Sequence, residues 1–459
     1  MEGETSRHVM VLTYPAQGHI NPLLQFTKLM ALKGIKATFA TTRYTASAIQ
    51  APGITIEPIS DGFDEGGFKQ ASSLQAYLNS FKVIGSKSLT ELIQKFSNSC
   101  YPVDCLVYDS LLPWALDVAK EMGVCKAAFL TNSASVCSLY WYLHHDLLSL
   151  PLTPNSFPLV LPGLPDLQPS DLPSFIAHPL EFSGYLGSIM EQFSTLEEND
   201  WVFINTFAEL ETEIEKAMSE KWPLMMVGPM LPSAYLGQQM EDREYGGSLW
   251  NQATENCLRW LDTKPSNSVI YISFGSMAEV PGKQVEEIAW GLKNLESPFL
   301  WVFRESDTKL PPEFLSSLND EIGVVVSWCN QLEVLAHPAI CCFITHCGWN
   351  SMLEGLSLGV PMLAIPQWSD QPMNAKMMED VWKVGVRAKK GSEGIVSREE
   401  IERSVREVIA GLSSEEIKKN SCSWCKQAAR TVSKGGSSES NIDKFLQTLQ
   451  KKKAAQSYK

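Results

Sequence analysis

From His8 onward, short β-branched and apolar runs alternate with longer stretches whose apolar positions recur at helical spacing. HVMVLTY, KATFATT, ITIEPIS, VDCLVYDS and KAAFLTN read as strands, while NPLLQFTKLMALKG, TELIQKF and WALDVAKEMG read as helices. This alternation predicts a parallel sheet with crossover helices. A polar, Pro-rich stretch over 150–173 interrupts it, and WVFINTF and MMVGPM resume the strand character. Residues 229–256 carry Gly, Pro and mixed charge without an apolar period and read as a linker. The pattern then restarts with SVIYISFGS, FLWVFR, GVVVSWC, ICCFITHC and PMLAIPQ, separated by helical stretches such as QVEEIAWGLKN and WNSMLEGLSLG. From Ser397 the chain is helical by pattern. The expected fold is α/β, with two doubly wound domains facing a cleft. The expected divisions are 1–240, a linker at 241–256, 257–440, and a C-terminal helix and tail at 441–459 that packs back on the first domain.

Composition narrows the function. Of 459 residues, 44% are hydrophobic and 20% charged, which excludes a disordered chain. Lys and Arg total 38 against 52 Asp and Glu, so the net charge of −14 opposes sequence-independent binding to nucleic acid or anionic lipid. An anionic ligand then needs a local site. The polar start, broken by Pro15, Gly18 and Pro22, resembles neither a signal peptide nor an anchor, and no apolar stretch is long enough to span a bilayer. The 11 cysteines are expected to be reduced thiols of a cytoplasmic protein. Cys422 and Cys425 have redox spacing but lie in a Lys-, Ser- and Ala-rich stretch. In ICCFITHC, strand alternation sends Cys341 and Cys347 to one face and Cys342 and His346 to the other, so no metal site is expected.

Two doubly wound domains direct attention to residues just after strands. In YPAQGHINP, His19 stands at a helix entry after a strand, where a neutral imidazole is either a general base or a structural histidine. Asp109, ending VDCLVYDS, is its candidate orienting partner or else a helix N-cap. In the stretch 328–371, Trp328 is placed to stack on a planar base or to fill core. His346 closes a strand, and Gly348, Trp349, Asn350 and Ser351 open a helix whose free N–H groups suit a diphosphate. Glu354, one turn beyond Asn350, is a ribose acceptor or a surface charge. Asp370 and Gln371 suit sugar hydroxyls or form a turn. Phe63, Tyr77, Trp141, Phe182, Tyr185 and Trp368 are candidates for a largely apolar pocket or for core.

The stretch 328–371, with Trp328 first, HCGWNS in its middle, Glu354 beyond and Asp370–Gln371 last, resembles the signature box of plant family 1 UDP-sugar glycosyltransferases, and the resemblance extends over the whole chain. It implies two Rossmann-like domains of GT-B type, the first binding acceptor and the second UDP-sugar. Trp328 would stack on uracil while the Cys329 backbone meets its edge. Gln331 and Glu354 would hold the ribose, and His346, Asn350, Ser351 and Ser276 the diphosphate. Trp349, Asp370 and Gln371 would contact the sugar, with Thr131 from the first domain, and Gln371 marks glucose preference. The resemblance makes His19 the acceptor-deprotonating base and Asp109 its partner. UDP-glucose would be a co-substrate of a monomer with no permanently bound cofactor and no metal, acting on a small, largely apolar phenol, acid, triterpene or steroid. Asn330 and Cys341 depart from the Pro and Gly common in the family. No G-x-G-x-x-G occurs, which argues against a nucleotide-dependent oxidoreductase. A UDP-sugar or hormone sensor without turnover is the remaining alternative.

Overall fold

The computed structural model describes residues 7–457 apart from 222–223, 238–241, 244, 246–252, 305–308 and 320. Its strands form two parallel sheets. The first comprises β1 (His8–Leu12), β2 (Lys36–Thr42), β3 (Thr55–Ile59), β4 (Cys105–Asp109), β5 (Cys125–Leu130), β6 (Trp201–Ile204) and β7 (Leu224–Met226), in the order β3-β2-β1-β4-β5-β6-β7. The second comprises β8 (Val269–Ser273), β9 (Phe299–Val302), β10 (Gly323–Val326), β11 (Ile340–Thr345), β12 (Met362–Ala364) and β13 (Gly385–Arg387), in the order β10-β9-β8-β11-β12-β13. In both, the winding reverses beside the first strand, between β1 and β4 and between β8 and β11. Loops diverge there and open a crevice at the carboxyl ends.

Each sheet is buried on both faces, as near-continuous apolar strands require. Val9 and Val11 enter one layer with Phe26 and Phe203, while Met10 and Leu12 enter the other with Leu106 and Tyr108. In the second domain Val269 and Tyr271 pack on one side, and Ile270 and Ile272 on the other. The expected alternation fails at one point of ICCFITHC. A register shift between Ile340 and Cys342 lets Cys341 and Cys342 enter the same layer. Among the described residues no group of three or more His, Cys, Asp or Glu is placed to hold a metal. Cys422 and Cys425 lie on the helix Ser414–Val432, and both thiols are free.

Most of the expected linker lies outside the described residues. The helix Thr254–Asp262 already belongs to the second core through Cys257, Trp260 and Leu261. Near its end the chain crosses back. The helix Ser414–Val432 packs on the second domain, where the Trp424 indole donates to the Trp382 carbonyl at 3.1 Å. The final helix, Ser437–Ser457, sets Phe445 edge-on against Trp201 and Phe203 of the first domain, at 4.9 and 5.0 Å between ring centres. No helix among the described residues is long and apolar enough to cross a membrane.

Candidate active site

The two crevices share one cavity of about 350 Å³. On the first domain's side, β1 ends at Leu12, and a short loop leads into the helix Gln17–Leu32, which carries His19 near its start. Asp109 ends the neighbouring β4 and is fully buried. Its Oδ2 lies 2.7 Å from His19 Nδ1, whose side chain remains 21% exposed toward the cavity. Donation from Nδ1–H to this carboxylate selects the tautomer that leaves Nε2 as the basic nitrogen. The helix after Asp109 begins only at Ala115 with Trp114 at its cap, so Asp109 is not an N-cap. It accepts instead from the Leu111 and Tyr14 backbone N–H groups at 3.0 and 3.3 Å, which fixes both loops around it. Thr131 Oγ1 sits 3.2 Å from His19 Nδ1, so this residue, expected at the sugar, also touches the imidazole.

The second domain supplies the facing wall. Ser276 follows β8, Trp328 and Cys329 follow β10, and His346 follows β11; all line the cavity. His346 is packed between two glycines, since a Cβ on Gly275 or Gly348 would come within 2.8 or 2.5 Å of its ring. Burial, with a smaller effect from Arg304, outweighs a hydrogen bond to the Ser273 backbone and pushes its pKa down to about 4, which keeps the imidazole neutral. The helix Trp349–Leu358 starts three residues later, with its N-terminus at the cavity.

On that helix, Glu354 is buried rather than a surface charge. Its carboxylate accepts from Gln331 Nε2 and from the Tyr245 hydroxyl, and burial outweighs both bonds to raise its pKa to about 7. Gln331 Nε2 also donates to Ser351 Oγ at 2.9 Å, and its Oε1 accepts from Tyr271 at 3.1 Å. The Cys329 thiol turns toward the same Tyr271 hydroxyl, 3.7 Å away. In the last loop, Ser369 adopts a left-handed φ of 60°. The Gln371 side-chain Oε1 accepts from the Gln367 and Trp368 N–H groups, which leaves its Nε2 for a ligand. Asp370 accepts from Asn374 at 2.7 Å, and burial raises its pKa to about 6.

Two expected donor residues line the cavity and also bond across it. The Trp349 indole donates to the Asn205 carbonyl of the first domain at 2.7 Å and packs on Trp382, so its ring is an interdomain strut. Asn350 Nδ2 donates across the cleft to the Gly18 carbonyl at 2.8 Å, while its Oδ1 is buried without a partner. Pro22 explains that acceptor: it has no N–H to offer the carbonyl one helical turn earlier, which is that of Gly18.

Of the aromatic candidates, Tyr185 and Trp368 line the cavity. Tyr77 and Trp141 are core, and Phe63 and Phe182 pack behind. Phe175, not singled out from the sequence, stacks on Tyr185 at 5.4 Å with 6° between planes, and Trp368 meets both rings edge-on. Tyr245 and Tyr271 were also missed. Tyr245 falls in a segment read as a linker, and Tyr271 lies inside a strand indistinguishable from core by pattern.

Paired parallel α/β domains with a histidine–carboxylate pair, a helix N-terminus and a buried carboxylate on one shared cavity define a nucleotide-sugar transferase of GT-B type. The comparisons agree. A sequence model of the family described as UDP-glucoronosyl and UDP-glucosyl transferase matches residues 243–423. The chain is 46% identical to UDP-glycosyltransferase 74B1 of Arabidopsis thaliana, covering 97% of this chain and 98% of that one. It is 42% identical to a flavonol 7-O-beta-glucosyltransferase of the same plant, covering 96% and 98%. The structure of Os79 from O. sativa in complex with UDP superposes with a TM-score of 0.91 at 37% identity, covering 96% of this chain and all of that one. The chain belongs to the UDP-glycosyltransferase family.

Proposed function

We propose that this enzyme transfers glucose from UDP-glucose to a hydroxyl or carboxyl group of a small, largely apolar plant metabolite, with inversion at the anomeric carbon. One observation carries the reading: the His19–Asp109 pair of one domain and the Glu354–Gln371 wall of the other border the same cavity. His19 Nε2 takes the acceptor proton, and Asp109 stabilises the imidazolium that results. The acceptor oxygen bonds to the anomeric carbon as the bond to the diphosphate breaks on the opposite face, through an oxocarbenium-like state. An α-linked donor thus gives a β-glucoside or glucose ester, and UDP leaves with its electron pair.

Negative charge growing on the diphosphate is met by the N-terminus of the helix Trp349–Leu358, by Ser276 and Ser351, and by neutral His346. Trp328 and the Cys329 backbone receive uracil, Gln331 and Glu354 the ribose, and Asp370 and Gln371 the glucose, with Thr131 beside them. Trp349 lies beside the glucose and Asn350 beside the diphosphate, and their side chains also bond across the cleft, which holds the domains in register. This reading calls for no metal and no permanent cofactor, for a cytoplasmic monomer, and for a division into an acceptor domain (1–240), a linker (241–256), a donor domain (257–440) and a returning C-terminal helix (441–459). The described lining includes Glu354 and Asp370 but no lysine or arginine, which favours an uncharged hydroxyl over a carboxylate acceptor. A sensor without turnover draws no support, because binding alone needs no oriented base.

The test is UDP release and product mass with purified protein, UDP-glucose and a panel of phenols, acids, triterpenols and steroids, beside His19→Ala, with chelator present. Acceptor-dependent UDP release that His19→Ala abolishes for alcohols is expected. No turnover of any acceptor despite tight UDP-glucose binding would overturn the reading.

A further inference from the structure

The interrupted stretch 150–173 ends in a buried charge that the reaction described above does not use. Asp171 closes the turn Pro169–Asp171 and is 1% exposed. Its Oδ2 accepts from the Gln168 N–H of its own turn at 2.8 Å. Its remaining contacts cross to the other domain: Oδ1 accepts from Arg387 Nη1 at 2.7 Å, and Lys376 Nζ lies 3.7 Å from Oδ2. Both cations are themselves held, Lys376 by Asp380 at 2.6 Å and Arg387 by Glu379, whose Oε1 also accepts the Arg387 backbone N–H at 2.9 Å.

Immediately after Asp171, the Ser174 N–H donates to the Ser369 carbonyl at 2.8 Å, and Phe175 meets Trp368 edge-on at 5.8 Å. Trp368 and Ser369 belong to the loop that carries Asp370 and Gln371. A segment of the first domain is therefore fastened to the loop read as sugar-binding, and its aromatic ring forms part of the cavity wall.

We propose that Asp171 is a positioning residue. Through Arg387 and Lys376 it holds the Phe175 wall of the acceptor cavity on the sugar loop, setting the reach of the acceptor oxygen to the anomeric carbon. The proposal rests on the glucosyl-transfer reading. Transfer needs the reacting atoms within about 3 to 3.5 Å of each other, a tolerance that a loosened wall exceeds. A buried ion pair is a poor source of net stability, whereas its geometry registers two surfaces against each other.

The experiment compares Asp171→Asn, Asp171→Glu and Arg387→Met with the unmodified protein, using the panel acceptor that is turned over fastest. It reads acceptor kcat/KM, the ratio of UDP released to glucoside formed, and the UDP Kd by calorimetry. Asp171→Asn and Arg387→Met are expected to lower acceptor kcat/KM by about tenfold or more and to raise the share of UDP-glucose lost to water. Asp171→Glu recovers most of the loss. UDP affinity stays within about twofold, because the ion pair touches none of the uracil and ribose groups. Arg387, with a side chain 21% exposed, keeps the test open should Asp171→Asn fail to fold. Unchanged acceptor kcat/KM in the folded variants would overturn this proposal alone, as would parallel losses of acceptor kcat/KM and UDP affinity. Absence of glucoside formation by the unmodified protein would overturn the transferase reading and this proposal with it.

Discussion

Glu354 shows how a side chain's position in the chain and its environment combine. Its place one turn beyond Asn350 is plain in the sequence, but whether it is a surface charge or a buried acceptor depends on what covers it. The cover is Gln331, Ser351 and Tyr245, and the burial raises its pKa to about 7. An acid with a raised pKa is ionised above that value and protonated below it, and in the proposed donor role only the carboxylate form accepts from both ribose hydroxyls. The KM for UDP-glucose is therefore expected to rise as pH falls through 7, by up to about tenfold at one unit below. Glu354→Gln should give a KM that is high and nearly independent of pH over this window. Steady-state kinetics from pH 6 to 8 check it, and a flat profile for the unmodified protein would remove Glu354 from the donor site. His19 and Asp109 make the same point. Each residue follows or ends a legible strand, yet only the fold sets the 2.7 Å contact between them and starts the next helix at Ala115, which removes the N-cap reading of Asp109.

Helices and loops carry information that single residues do not. The helix Gln17–Leu32 contains Pro22, which removes one internal hydrogen bond and leaves the Gly18 carbonyl to accept from Asn350. Pro22→Ala restores the missing N–H. Because an interior proline costs a helix about 3 kcal/mol, the variant is expected to melt no lower than the unmodified protein. Its kcat should nonetheless fall several-fold, because the carbonyl then has a partner in its own helix and the tether beside His19 weakens. Thermal melting and kcat measured side by side decide the matter, and an unchanged kcat would leave Gly18–Asn350 with no part in positioning. The strand β11 teaches the opposite lesson. Period-two reasoning failed at Cys341 because a register shift against β8 consumes one residue, and such shifts depend on the neighbouring strand rather than on the strand's own side chains.

At the level of the assembled domains, the C-terminal helix matters most. Ile442, Phe445, Leu446 and Leu449 enter the same core layer as Val9 and Phe203. Phe445→Ala is expected to destabilise the first domain by about 3 to 5 kcal/mol, read by urea unfolding, and a loss below about 1 kcal/mol would show that the helix is not part of that core. The two parallel α/β domains and the order of the residues proposed for the donor were legible in the chain itself. Near-continuous apolar runs and a helical period state which faces are buried, and most of the residues proposed for the donor follow one another within the stretch 328–371. Tertiary structure alone decided which other distant faces meet: Thr131 with His19, Asn350 with Gly18, Tyr245 with Glu354, and Asp171 with Arg387. Periodicity records that a side chain leaves water, but its partner is chosen by how two sheets and their loops pack, over sequence separations that no local pattern spans.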